Sequence, residues 1–464
     1  MVVVEWNNRY WPVPTKIEKC ENHKASACDL SHSKNLQTDP IHITRNMKEP
    51  EIQLAADGSS SIYSSVATAS TMAAASSIII EPEVNLSNAV PFATATAVLS
   101  SQLSPSLPAA AYNVSSILNR EQINILKSQG FPSGLAQELG NTRATFPLRF
   151  WVVDNSGSMR TSDGHQIRGS QDNIKVVECN RWTELQETVC YHAELAGLIE
   201  ATTVFRLLNA PSIKVGPQEF SVAETTSQSI QGDVERAKSI VLAAEPKGVT
   251  PLTEHLMVIR SRIQAVEHVL RNEGQQAVIV LATDGLPSND RGESTQEGND
   301  QFIDALKSLQ SLPVWVVVRL CTDNESVVEF YNNLDQILEL PLEVIDDFLG
   351  EGEEIHKANR WLNYALPLHR CREMGYHHRI FDLLDERLLN KDELRSFLDL
   401  LFGKTVLDSA PDPQVDWKGF VKVLKRVVTA EGKLYNPNTR RLDYWVDFKQ
   451  LEKAYGKKGF RLFG

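Results

Sequence analysis

The chain has 464 residues, 42% hydrophobic and 23% charged, the balance of a globular protein with room for two or three domains. Its formal net charge of −12 argues against a nucleic-acid binder or a binder of anionic membranes, both of which need a basic surface. No apolar run approaches the roughly 18 residues of a membrane span. The opening "MVVVEWNNRYWPVP" has no basic-then-apolar signal, and six scattered cysteines make no disulfide framework, so an intracellular, cytoplasmic protein is expected.

Residues 1–117 are Ser/Ala/Thr-rich, as in "DGSSSIYSSVATASTMAAASSIIIEP", and read as disordered because such a composition buries no specific core. Cys20, His23, Cys28 and His32 are zinc-type ligands, but their spacing fits no strong zinc pattern and the segment reads as linker. Residues 118–145 hold two short helical runs split by Gly130 and Pro132, expected to brace the next domain.

Residues 146–345 alternate strand and helix. "LRFWVV", "TTVFRLL", "QAVIVLAT" and "PVWVVVRLC" read as strands. "RWTELQETVCYHAELAGLIEA", "GDVERAKSIVLAAE", "PLTEHLMVIRSRIQAVEHVLRNE" and "NDQFIDALKSLQSL" read as helices. Strands apolar on both faces and separated by helices predict an α/β fold with a doubly wound, mostly parallel sheet covered on both sides.

Ligands of such sheets bind beyond the carboxyl ends of the strands. Three loops there carry oxygen side chains: Asp154, Ser156 and Ser158 in "WVVDNSGSM", Thr250 in "KGVTPLTEHL" and Asp284 in "LATDGLPS". Two carboxylates and three hydroxyls are hard ligands, suited to Mg²⁺ or Mn²⁺ and poor for zinc. Spacing the first three by two residues lets alternate side chains of an extended loop turn inward together.

This constellation resembles the von Willebrand factor A-type domain with its metal-ion-dependent adhesion site, over roughly 200 of the 464 residues. The resemblance implies that Ser156 and Ser158 bind the ion directly and that Thr250 does so when a ligand is engaged. It implies that Asp154 and Asp284 act mostly through water and by orienting the hydroxyls. It also implies that a partner protein's Asp or Glu completes the shell.

The polar stretch Arg160–Asn180 reads as a rim loop of this site, in which His165 and Arg168 are ordinary solvated residues or contacts for a carboxylate partner. Residues 346–464 read as a helical interaction region. Asp408, Asp412 and Asp416 fall at offsets like those of a calcium loop, yet Pro413 and Gly419 stand where its sharp-turn Gly and its Glu belong. His377 and His378 are adjacent and so diverge on a helix, and "FGKT" at 402–405 lacks the rest of a phosphate loop.

The reading is a non-enzymatic, metal-dependent scaffold module that captures an acidic side chain. A Mg²⁺-dependent hydrolase or phosphoryl-transfer enzyme and an extracellular adhesion protein are the alternatives.

Overall fold

The computed structural model describes residues 117–168, 175–224 and 229–456. The expected disorder of the N-terminal region and the Cys20, His23, Cys28 and His32 cluster lie outside these residues. Among the described residues no helix is long and apolar enough to cross a membrane.

Two helices come first, α1 (Arg120–Ser128) and α2 (Ser133–Thr145). Asn119 and Gln122 close a reciprocal capping box at the start of α1, which satisfies two backbone donors that the first turn leaves free. The chain then alternates through β1 (Leu148–Val153), β2 (Gly164–Arg168), β3 (Lys175–Cys179), α3 (Arg181–Leu198), β4 (Thr202–Leu207), β5 (Glu219–Val222), α4 (Ile230–Ala243) and α5 (Leu252–Asn272). It continues through β6 (Ala277–Thr283), α6 (Gln296–Lys307), β7 (Val314–Leu320), α7 (Glu325–Asn332), α8 (Leu334–Ile337) and β8 (Leu342–Ile345).

Six of these strands form one sheet in the order β5-β4-β1-β6-β7-β8. All neighbours are parallel except the edge pair β4–β5. The fold is therefore α/β, with a doubly wound and mostly parallel sheet. Every residue of β1, β6 and β7 is buried, because helices cover both faces. Leu148, Phe150 and Val152 face α5 and α6, whereas Trp151 and Val153 face α3 and α4.

Within the stretch expected to be a rim loop, β2 and β3 pair as an antiparallel hairpin. β2 alternates buried and half-buried residues over a short span and β3 is mostly exposed, so neither carries a strong strand pattern.

The C-terminal region contains α9 (Phe348–Ala358), α10 (Leu366–Glu373), α11 (Arg379–Glu386), α12 (Lys391–Phe402), α13 (Lys404–Leu407) and α14 (Trp417–Glu431). A small hairpin, β9 (Lys433–Asn436) and β10 (Arg441–Tyr444), precedes α15 (Phe448–Tyr455), so the region is helical with one antiparallel pair. Its core takes in Leu126, Phe131 and Leu135 from α1, α2 and their link, together with Leu195 and Ile199 at the end of α3. A Cβ on Gly134 would collide with the backbone of Leu400 and Gly403, so α2 sits hard against the end of α12.

The α/β part and the C-terminal region also meet through polar groups. Arg149, in the centre of the sheet, donates to the carbonyls of Met374 at 3.2 Å, Phe146 at 2.8 Å and Thr142 at 3.2 Å. Gly375 adopts φ +91° against Val278, where a Cβ would lie 2.6 Å from a methyl carbon.

Candidate metal centre

β1 lies at the point where the strand order reverses, so the loop after it opens into the crevice that doubly wound sheets use for ligands. Asp154 still belongs to the ladder, its amide donating to Ala282 O at 2.9 Å. Ser156 then caps one 3₁₀ turn, Gly157–Arg160. This turn aims the side chains of positions 154, 156 and 158 at the neighbouring loops instead of continuing the strand.

Backbone bonds clip those loops together. Gly157 N donates to Gly248 O at 3.1 Å and Lys247 N to Asn155 O at 2.7 Å. Asn155 is fully buried and exchanges bonds with Asn209 at 2.9 and 2.7 Å. Asn209 in turn donates to Val249 O at 2.8 Å. Thr250 is held against the loop after β6, with Thr250 N donating to Ser288 Oγ at 2.8 Å and Ser288 N to Thr250 O at 3.0 Å.

Four of the five candidate ligands form one chain of polar contacts. Ser156 N donates to Asp154 Oδ1 at 2.8 Å, and the Ser156 and Ser158 hydroxyls lie 2.9 Å apart. Ser158 Oγ donates to Asp284 Oδ1 at 2.8 Å. Thr250 flanks the chain from the adjoining loop and is nearly buried. Thr283 donates its hydroxyl to Asp154 Oδ2 at 2.7 Å and so fixes that carboxylate from behind.

The electrostatics are those of a site short of positive charge. Burial, and then the nearby charge of Asp284, push the Asp154 carboxyl up to about 6 against the pull of its hydrogen bonds. Arg181, the first residue of α3, donates to Asp284 Oδ2 at 2.9 Å and to both oxygens of Asp163 at 2.7 and 2.5 Å. The donor set is two carboxylates and three hydroxyls on rigid, mutually bonded loops. Such a set fits a hard divalent ion such as Mg²⁺ or Mn²⁺.

Sequence reasoning did not find Asn155, Thr283, Arg181 or Asp163. Asn155 and Thr283 sit beside the motif acids and their position marks them in hindsight. Arg181 reaches Asp284 across 103 positions and only because the hairpin brings α3 back to the loops.

Other candidates fall elsewhere. His165 points at Asp347, 3.7 Å away, and Arg168 folds onto Gln166 at 2.9 and 2.7 Å. His377 packs on Trp315, their ring centroids 4.0 Å apart, while His378 caps α11. Asp416 caps α14 and Asp412 accepts from Gln414 N at 2.6 Å, so both acids serve turns. Gly403 of "FGKT" ends α12 at φ +94°.

No protein-family model and no curated protein matches this chain. Solved structures that match include the crystal structure of the SpRpn10 VWA domain. It is 13% identical with a TM-score of 0.28, and the match covers 43% of this chain and 87% of that one.

Proposed function

We propose that the chain is a metal-dependent protein-binding module of the von Willebrand A type, working as a scaffold in an intracellular assembly. In this reading Asp154, Ser156, Ser158, Thr250 and Asp284 hold Mg²⁺ or Mn²⁺. The observation that carries it is the bonded chain from Asp154 through Ser156 and Ser158 to Asp284, built on two separate loops with Thr250 beside it on a third. When bound, the ion supplies a Lewis-acidic position that an Asp or Glu of a partner protein can fill in place of water.

The residues of this chain do the rest. The Ser156 and Ser158 hydroxyls and Thr250 offer neutral oxygens, which leave the ion electrophilic. Asp154 and Asp284 provide the negative charge that draws the ion in, and Thr283 and the Ser156 amide keep Asp154 oriented. The Ser156 and Ser158 hydroxyls are paired with each other and with Asp284, not with an imidazole base, which supports binding over nucleophilic catalysis.

An array of Asp- and Glu-containing peptides, probed with the full chain in Mg²⁺ and again in chelator, tests the reading. Retained peptides should lose binding in chelator, with Ser156→Ala, and when their acid is changed to Asn or Gln. Retention indifferent to all three would overturn it.

Arg181 tunes the same site. Its fixed positive charge on Asp284 opposes a second cation. Arg181→Gln should therefore tighten Mn²⁺ binding about tenfold, or ~1.4 kcal/mol, a difference that calorimetry resolves.

A further inference from the structure

The hairpin that brings Arg181 to the first site also contributes to a second cluster. His165 from β2, Glu184 from α3 and Asp347 at the head of α9 each offer a ligand atom, all within 4.8 Å of one another. They line a cavity of about 40 Å³ whose wall continues through Arg319, His369 and Glu373. One water needs ~10–15 Å³ of such space, so the cavity has room for an ion.

Two independent features mark this cavity as built for a cation. First, a nitrogen facing it is left unsatisfied. His165 Nδ1 is shut off from solvent and has no hydrogen-bond partner among the described residues. Asp347 Oδ2 stands 3.7 Å from His165 Nδ1, beyond hydrogen-bonding reach. Native interiors seldom leave such nitrogens unpaired. Second, the lining is acidic: Glu184, Glu187, Asp347 and Glu373 face two guanidiniums, Arg319 and Arg370.

The ligands are also held in place by their other atoms. Glu184 receives the His165 amide on Oε2 at 2.8 Å, while its other oxygen pairs with Arg319. Asp347 spends Oδ1 on the amide of Gly350 at 2.7 Å, capping α9, which leaves Oδ2 directed at His165. Such outer bonds orient metal ligands in known sites.

We infer that His165, Glu184 and Asp347 form a second divalent-cation site, distinct from the oxygen-only site at Asp154. One imidazole nitrogen with two carboxylates selects a borderline ion of the zinc, cobalt or manganese class over Mg²⁺. Two of the ligands belong to the α/β part and the third opens the C-terminal region. An ion there ties α9 to the hairpin that borders the first site. The inference does not depend on the function proposed above.

The test is a Co²⁺ titration of the full chain, followed by visible absorption, in an Asp154→Ala background that removes the first site. Adding His165→Gln, or Asp347→Asn, which keeps the helix cap, should weaken one saturable Co²⁺ component by about a hundredfold or more. Co²⁺ should also raise the melting temperature of the Asp154→Ala chain but not of either double variant. Cys20, His23, Cys28 and His32 are the same in all three chains and cancel in the comparison. A Co²⁺ component and a melting shift unchanged in both double variants would overturn the inference, as would the absence of any saturable component in Asp154→Ala.

Discussion

Replacing Glu373 by Ala will lower the stability of the chain by about 3–5 kcal/mol, read as a shift in the guanidinium midpoint with an unchanged slope. Glu373 is fully buried at the end of α10. Its Oε2 meets His192 Nε2 at 3.0 Å and Arg370 Nη1 at 2.8 Å, and its Oε1 lies 3.3 Å from His369 Nε2 and 3.5 Å from Arg319 Nε. Burial alone would raise this carboxyl. Arg370, His369 and His192 instead hold it well below the usual carboxylate range. Without it, two buried guanidiniums lose a shared counter-charge, and that imbalance makes the loss large. Glu373→Gln keeps the shape and some hydrogen bonds, so it should fall between the wild type and Ala. A Glu373→Ala loss under about 1 kcal/mol would show that the α/β part and the C-terminal region do not depend on this cluster.

The second large effect has the opposite sign. In chelator at pH 7.5, Asp154→Asn should be more stable than the wild type, by about 3 kcal/mol at most. The Asp154 carboxyl is raised from 3.8 to about 6, two units at about 1.4 kcal/mol each. Between those values the folded chain keeps a proton that the unfolded chain has released, so this group's contribution to stability falls as pH rises. The advantage of the variant should vanish below about pH 4 and be complete above about pH 6. Asn remains compatible with the site because Thr283 Oγ1, which also lies 3.3 Å from Gly285 O, can turn its proton there and accept from the new amide. Mg²⁺ at a thousand times its Kd should then stabilise the wild type by about 4 kcal/mol and leave the variant unmoved, which reverses the ranking. A variant no more stable than the wild type at any pH would mean that Asp154 is not strained in the metal-stripped chain.

The sheet was legible because its central strands advertise themselves. β1, β6 and β7 are continuous apolar runs, a pattern that burial on both faces demands. The edges were not. β5 and β8 have four residues each and alternate, β2 is a short half-buried run and β3 is mostly exposed, so neither length nor hydrophobicity separates them from loop. The candidate ligands were legible for a related reason: each follows a strong strand or opens a strong helix. What escaped were the partners set by long-range packing. Arg181 finds Asp163 and Asp284 only after the hairpin folds. His165 is drawn to Asp347, outside the α/β part, and Glu373 gathers His192 and Arg319 only once α10 docks. No local pattern encodes contacts between positions so far apart.

The measurement that bears most directly on the central claim is calorimetric titration of Mg²⁺ and Mn²⁺ into metal-stripped full-length protein, beside Asp154→Ala. The account predicts saturable Mg²⁺ binding at one site, lost in the variant, whose α/β sheet stays folded because the loop lies outside its core. Absence of Mg²⁺ binding in the wild type, or identical binding in the variant, would contradict it.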